Sequence, residues 1–343
     1  MSQSAQEGLQ PEQGTVRILH ILNGDSVRET IERSGMPGTF SVWADALHDG
    51  PVPAGQSPEQ FRETRAAFWA ANDPRTLDEL PADLHKRWDD GLASFPNYDE
   101  VVMWFEHDLY DQLILIHHLD FYSRQDLGGA QLSLICIGEY PGVEAFHGLG
   151  QLNAKQLRPL LETRRPVTRA QFELGRAAWA AFTSPDPTTI EKVILGDTSE
   201  LPFLKSALIR FLEEYPSKRN GLPRTEGQIL SALEAGPKTP MTLFRATSDM
   251  EESLYMGDTT FWRRVQDLAS GPNPLVELSI TDRQEGLPAG EVRITNAGLD
   301  VLAGRADWVA LNSIDRWLGG VHLHGPDEPW RWDETTGRLT YPS

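Results

Sequence analysis

The sequence predicts an α/β protein: a Rossmann-like, mostly parallel sheet of about four strands, then a helical segment and a winged-helix-like α+β domain. Three observations carry this. Short, near-continuous apolar runs alternate with helix-like stretches over residues 15–147, as in a parallel sheet covered on both faces. Residues 148–216 are helical in pattern alone. Over residues 220–305, three helical stretches precede two β-type runs joined by a Gly/Pro-bearing turn, which is winged-helix order.

Val16–Leu22 is the first strand, and Asn23-Gly24-Asp25-Ser26 leads into a helix that Gly35 and Pro37-Gly38 stop. Thr39–Ala44 is the second strand, ending at Asp45. Residues 58–94 are helical in two pieces, broken near Asn72-Asp73-Pro74. Val101–Phe105 is the third strand, ending at Glu106-His107-Asp108. The helix after it places Leu109, Leu113, Ile116 and Leu119 at helical spacing. Leu132–Ile137 is the fourth strand. Helices follow over Asn153–Glu162, Thr168–Ala181, Thr188–Leu195 and Pro202–Glu214, with Thr168 and Gln171 spaced as a capping box. Pro216–Gly221 marks a domain boundary. Beyond it come helices over about Thr225–Glu234, Pro240–Ala246 and Thr259–Ala269, strands Leu275–Ile280 and Glu291–Thr295, and a helix from Asn296. The last segment, 306–343, carries Trp308, Trp317, Trp330 and Trp332, large amphipathic rings suited to docking on the body of the protein or on a partner.

Charge narrows the function classes. The 343 residues hold 31 Lys and Arg against 50 Asp and Glu, a net charge of −19. Residues 1–150 contribute 9 basic against 24 acidic groups, so most of the excess lies in the α/β half. Such a surface repels phosphate backbones, which argues against nucleic acid as a partner. The winged-helix-like stretch is itself acidic, with 8 basic and 12 acidic residues, although Arg263-Arg264 on its third helix keep a weak DNA option open. No apolar run approaches the ~18 residues of a membrane span. The polar, acidic start and the single Cys136 lead us to expect a reduced, cytoplasmic setting with no disulfide and no membrane contact.

In open parallel sheets, ligands bind beyond the carboxyl ends of the strands, where the strand order reverses. With the order 2-1-3-4, that reversal falls between the first and third strands. The loops Asn23–Ser26 and Glu106–Asp108 then flank one crevice, with Asp45 approaching from the neighbouring strand. Converging carboxylates need something positive among them, and Mg²⁺ or Mn²⁺ suits oxygen ligands. We therefore expect Asp25, Glu106, Asp108 and His20 as catalytic candidates, with Asp45 and Asp108 on a metal. Asn23, Gly24, Ser26 and Gln112 are the ligand-binding candidates. Ordinary helix capping accounts equally for Asp25, Ser26 and Asp108, and Asp111 is a first-turn acid favoured by the helix dipole. Cys136, in an apolar strand, reads as an inert core thiol. Gly24-Asp25-Ser26 matches the nucleophile block of the GDSL-type esterases, but a late Asp-x-x-His pair is lacking. The Gly-x-Gly-x-x-Gly dinucleotide fingerprint is also lacking after the first strand, and Gly148-Leu149-Gly150 does not replace it.

Three blocks together carry a family likeness: His20–Ser26, then Trp43–Leu47 with Gly50-Pro51, then Trp104–Asp108 with Asp111-Gln112. They resemble the bacterial family known as domain of unknown function 1835, over about residues 17–140. Gly148–Leu152 and Gly257–Trp262 look like the C-terminal region often joined to it. The resemblance implies the fold and the blocks and brings no catalytic residue with it. Two functions are then expected as alternatives. One is a metal-assisted hydrolase or transferase for a small phosphate-bearing or polar substrate. The other is a regulatory module that senses a small ligand and passes the signal to a protein partner through the winged helix.

Overall fold

The computed structural model describes residues 16–72, 81–282, 286–328 and 330–341. The chain opens with β1 (Ile18–Leu22), α1 (Asp25–Arg33), β2 (Thr39–Val42), the two-residue β3 (Gly50–Pro51), α2 (Pro58–Asn72) and α3 (Pro81–Ala93). It continues through β4 (Glu100–Glu106), α4 (Leu109–Ser123), β5 (Gln131–Ile137), α5 (Ala154–Leu160), β6 (Arg165–Pro166), α6 (Arg169–Phe182), α7 (Thr188–Leu195) and α8 (Leu204–Leu212). Of the helix break expected near Asn72, Asp73 and Pro74 lie outside the described residues.

The main sheet has the order β2-β1-β4-β5-β6, parallel except for the last pair. The four principal strands thus follow the expected order 2-1-3-4, and the reversal sits between β1 and β4. Alternation along β4 divides the core between two faces. Val101, Met103 and Phe105 join a cluster with Leu113, Ile116 and Leu119 of α4 and with α6 and α8. Val102 and Trp104 join another with Val27 and Ile31 of α1 and Leu157 of α5. Helix α4 is apolar nearly all round because it is buried all round, between the sheet and α6 and α8.

The rest of the chain forms α9 (Arg224–Leu233), α10 (Pro240–Ser248), α11 (Asp258–Leu268), β7 (Val276–Asp282), β8 (Ala289–Ile294), α12 (Asn296–Leu302) and α13 (Trp308–Asn312). It ends in β9 (Ile314–Gly319), β10 (Val321–Gly325), β11 (Arg331–Asp333) and β12 (Arg338–Thr340). Strands β7 and β8 form an antiparallel hairpin, and Lys238, between α9 and α10, bridges Val292 as a one-residue third strand. The Trp-bearing tail docks on its own chain. Trp308 and Trp332 are buried, and β9 pairs in parallel with β3. The 216–221 segment is hydrogen-bonded to the C-terminal part of the chain: Lys218 N donates to Trp332 O at 2.7 Å and Asn220 Nδ2 to Val301 O at 3.0 Å.

Arg263 and Arg264 on α11, the arginines that kept a DNA option open, turn inward instead. Both pair with the buried Asp49, Arg264 Nη2 lying 2.9 Å from Asp49 Oδ1. Their charge is spent on holding α11 to the loop after β2.

Candidate functional site

The sheet reversal brings two loops together. β1 ends at Leu22, and Asn23-Gly24 turn the chain into α1; β4 ends at Glu106, and His107-Asp108 turn it into α4. Asp108 caps α4, its side chain accepting from Asp111 N at 3.0 Å. A cap and the third helical residue lie side by side on the first turn, so this bond sets Asp108 and Asp111 next to each other. Asn23 stitches the loops by donating its amide to both oxygens of Asp111, at 3.1 and 2.8 Å. Tyr110 adds a second stitch, its hydroxyl donating to Asn23 O at 3.0 Å.

Glu106 completes a buried trio. One carboxylate oxygen from each of Glu106, Asp108 and Asp111 lies within 4.8 Å of the other two. The Glu106 carboxylate accepts from Leu149 N at 2.5 Å, and its own backbone N–H donates to Asp111 Oδ1 at 3.2 Å. The 148–150 loop therefore closes over it, and Gly148 permits this. Gly148 has φ +143, and a Cβ there would overlap Glu106 Oε2.

Electrostatically the trio is uncompensated. Burial raises the Glu106 carboxyl to about 7, against the Leu149 N–H and the Asn23 amide. Burial, and next the Glu106 charge, raise Asp108 to about 8. Asp111 is pushed well above its ordinary value by burial and by both neighbours. Among the described residues, no lysine or arginine is ion-paired with any of the three, and none is a leading influence on their protonation.

Glu106 and Tyr110 also line a cleft of about 320 Å³, walled by Asn23, Gly24, Ser26 and the 147–151 loop. Gly24 caps α1 with no side-chain bond to the first turn, so the helix start is open on that side. A Cβ at Gly24 would meet nothing within 4 Å.

Of the expected residues, Asn23, Gly24, Ser26, Glu106 and Asp108 come together here. Four do not act as expected. Asp25 points away, its side chain 77% exposed and 3.6 Å from Arg28. His20 is a core histidine whose ring nitrogens are both engaged: Nδ1 accepts from Trp104 Nε1 and Nε2 meets Pro37 O, each at 3.0 Å. Burial holds its pKa below the ordinary value. This corrects its reading as a general base. Asp45 is no metal ligand, because Arg65 from α2 grips both its oxygens at 2.6 Å and Trp69 Nε1 adds a bond at 2.8 Å. Gln112 is buried and spends its amide on Glu106 O at 2.6 Å and on Cys136 Sγ, so it positions Glu106 and does not face a ligand. Cys136 is pushed up to about 12, chiefly by burial, in keeping with an inert thiol.

Sequence reasoning missed Asp111, Tyr110 and Gly148 as parts of the site. For Asp111 the signal was available: acids at a helix cap and three residues later share one turn, and two adjacent charges there need a reason. No family model matches the chain, and no curated protein matches it.

A trio of this kind has two chemical states. With a divalent cation, the oxygens serve as hard ligands and water fills the remaining positions. Without one, the carboxyls retain protons near neutral pH and act as acids.

Proposed function

We propose that the protein is a metal-assisted hydrolase or transferase acting on a small phosphate-bearing or polar substrate in the 320 Å³ cleft. The observation that carries the reading is the buried Glu106–Asp108–Asp111 trio, whose oxygens converge with no basic partner among the described residues. Mg²⁺ or Mn²⁺ on these oxygens would polarise a phosphoryl or carbonyl group and activate a water. Glu106, Asp108 and Asp111 hold the ion, while Asn23 fixes Asp111 and the Leu149 N–H orients Glu106. The uncapped start of α1 faces the same cleft and favours an anionic group on the substrate. Thermal melting with pyrophosphate as the probe tests this. We expect pyrophosphate to raise the midpoint only when Mn²⁺ is present, and Glu106→Gln to abolish the effect. Stabilisation that needs no metal, or none with it, overturns the reading.

A second reading, a regulatory module coupling a small ligand to a protein partner, draws support from Asp49. Its pairing with Arg263 and Arg264 joins the loop after β2 to α11, giving the sheet and the helix–hairpin unit a shared polar contact. We place the chain, also as a proposal, beside the domain of unknown function 1835 family and in the cytoplasm. No helix among the described residues is long and apolar enough to cross a membrane.

A further inference from the structure

The β9–β10 hairpin carries a second group of potential ligands, unrelated to the sheet reversal. Asp315 stands directly opposite His324 and Trp317 opposite His322 in the antiparallel register. Alternation puts all four side chains on the outward face, while Arg316, Leu318, Val321 and Leu323 are buried on the other. His322 Nε2 lies 2.7 Å from Asp315 Oδ1, and His324 Nδ1 lies 3.6 Å from Asp315 Oδ2. One ligand atom from each residue falls within 4.8 Å of the other two. Trp317 stacks flat on His322, with ring centroids 4.6 Å apart and planes at 2°, which fixes the imidazole.

We propose that Asp315, His322 and His324 form a surface site for a divalent transition-metal ion of the zinc, nickel or copper group. Two imidazoles and one carboxylate suit these ions, whereas the all-carboxylate trio suits Mg²⁺ and Mn²⁺. Metal–ligand bonds of 2.0–2.2 Å in a tetrahedral arrangement set the ligand atoms roughly 3.5 Å apart. His322 lies 2.7 Å from Asp315 Oδ1 and His324 3.6 Å from Oδ2, on either side of that value, so side-chain rotations that bring both imidazoles to one oxygen admit the ion. An ion bound at His322 Nε2 takes the place of the hydrogen bond between His322 and Asp315. The hairpin is anchored where this matters. Its inner face is buried, β9 pairs with β3, and a Cβ at Gly320 would overlap the Thr183 carbonyl. Asp315 also borders a cleft of about 180 Å³ beside Asn312 and Ser313, leaving room for water or a small ligand in the open positions.

The test is calorimetric titration of Zn²⁺ into tag-free, chelator-treated full-length protein. Wild type and Asp108→Asn are expected to share one Zn²⁺ site that His324→Ala and His322→Ala each weaken by at least ~10-fold. Because the three residues are exposed, circular dichroism of the histidine variants should match wild type. Cu²⁺ electron paramagnetic resonance should show two nitrogen ligands in wild type and one in either variant. A wild type that binds no Zn²⁺, or a His322→Ala/His324→Ala double variant that binds it as wild type does, overturns the proposal.

Discussion

Asp45 follows the carboxyl end of β2 and the Glu106–Asp108–Asp111 trio runs from the last residue of β4 into α4; both are deeply buried, and they differ in what meets them. Burial alone would push Asp45 up, yet the Arg65 guanidinium outweighs it, and the carboxyl is held below its ordinary range. The trio has no such partner and is pushed up to about 7 at Glu106 and about 8 at Asp108. Acids after strands are therefore not equivalent evidence of a site. The compensated one is structural; the uncompensated group keeps the capacity to take a cation or hold a proton, at a cost in stability that packing does not explain.

The largest effect that would break this contrast is at Arg65. Arg65→Met leaves Asp45 buried without its counter-charge and should cost about 3–5 kcal/mol in urea unfolding. A loss below about 1 kcal/mol would mean that the pair is not what stabilises Asp45. Next, Gly148→Ala forces a side chain onto Glu106 Oε2 from a left-handed backbone and should cost about 3 kcal/mol. Metal affinity should fall with it, since the loop can no longer close.

The pH dependence of stability separates the two regions by sign. Glu106 and Asp108 keep protons in the native state up to about 7 and 8, whereas the unfolded chain releases them near pH 4. Between these limits the native state binds more protons, so metal-free protein should lose stability as pH rises from 5 to 8, and the raised Asp111 acts in the same direction. The loss, read from urea midpoints across that range, should run at about 1.4 kcal/mol per pH unit for each proton that the native state retains. Asp45 contributes the opposite slope: its stabilisation is present above pH 4 and is lost as pH falls below its depressed value. The smallest effect sharpens the contrast most. Asp108→Asn keeps the helix cap and removes a repelling charge, so at pH 8 without metal it should raise stability by about 1 kcal/mol. Asp45→Asn should lower it under the same conditions.

The strand order and the position of the crevice were legible because long apolar runs and the acids after them are local features. The two-residue strands β3 and β6 were not, since Gly50-Pro51 and Arg165-Pro166 have no periodicity and exist as strands through their partners β9 and β5. The roles of site residues were legible only where the deciding neighbour was near in sequence. Asp108 and its cap partner Asp111 are three residues apart. His20 is settled by Trp104, Asp45 by Arg65 and the freedom of Glu106 by Gly148, all of them contacts made by folding.

The central question is whether the trio holds a hard cation. Calorimetric titration of Mn²⁺ at pH 8 into wild type, Glu106→Gln and Asp108→Asn decides it, with His322→Ala/His324→Ala as the background to exclude the hairpin. One Mn²⁺ site in that background, weakened at least ~10-fold by either carboxylate change, is the predicted result. Equal binding by all the variants, or none up to roughly millimolar Mn²⁺, would contradict it.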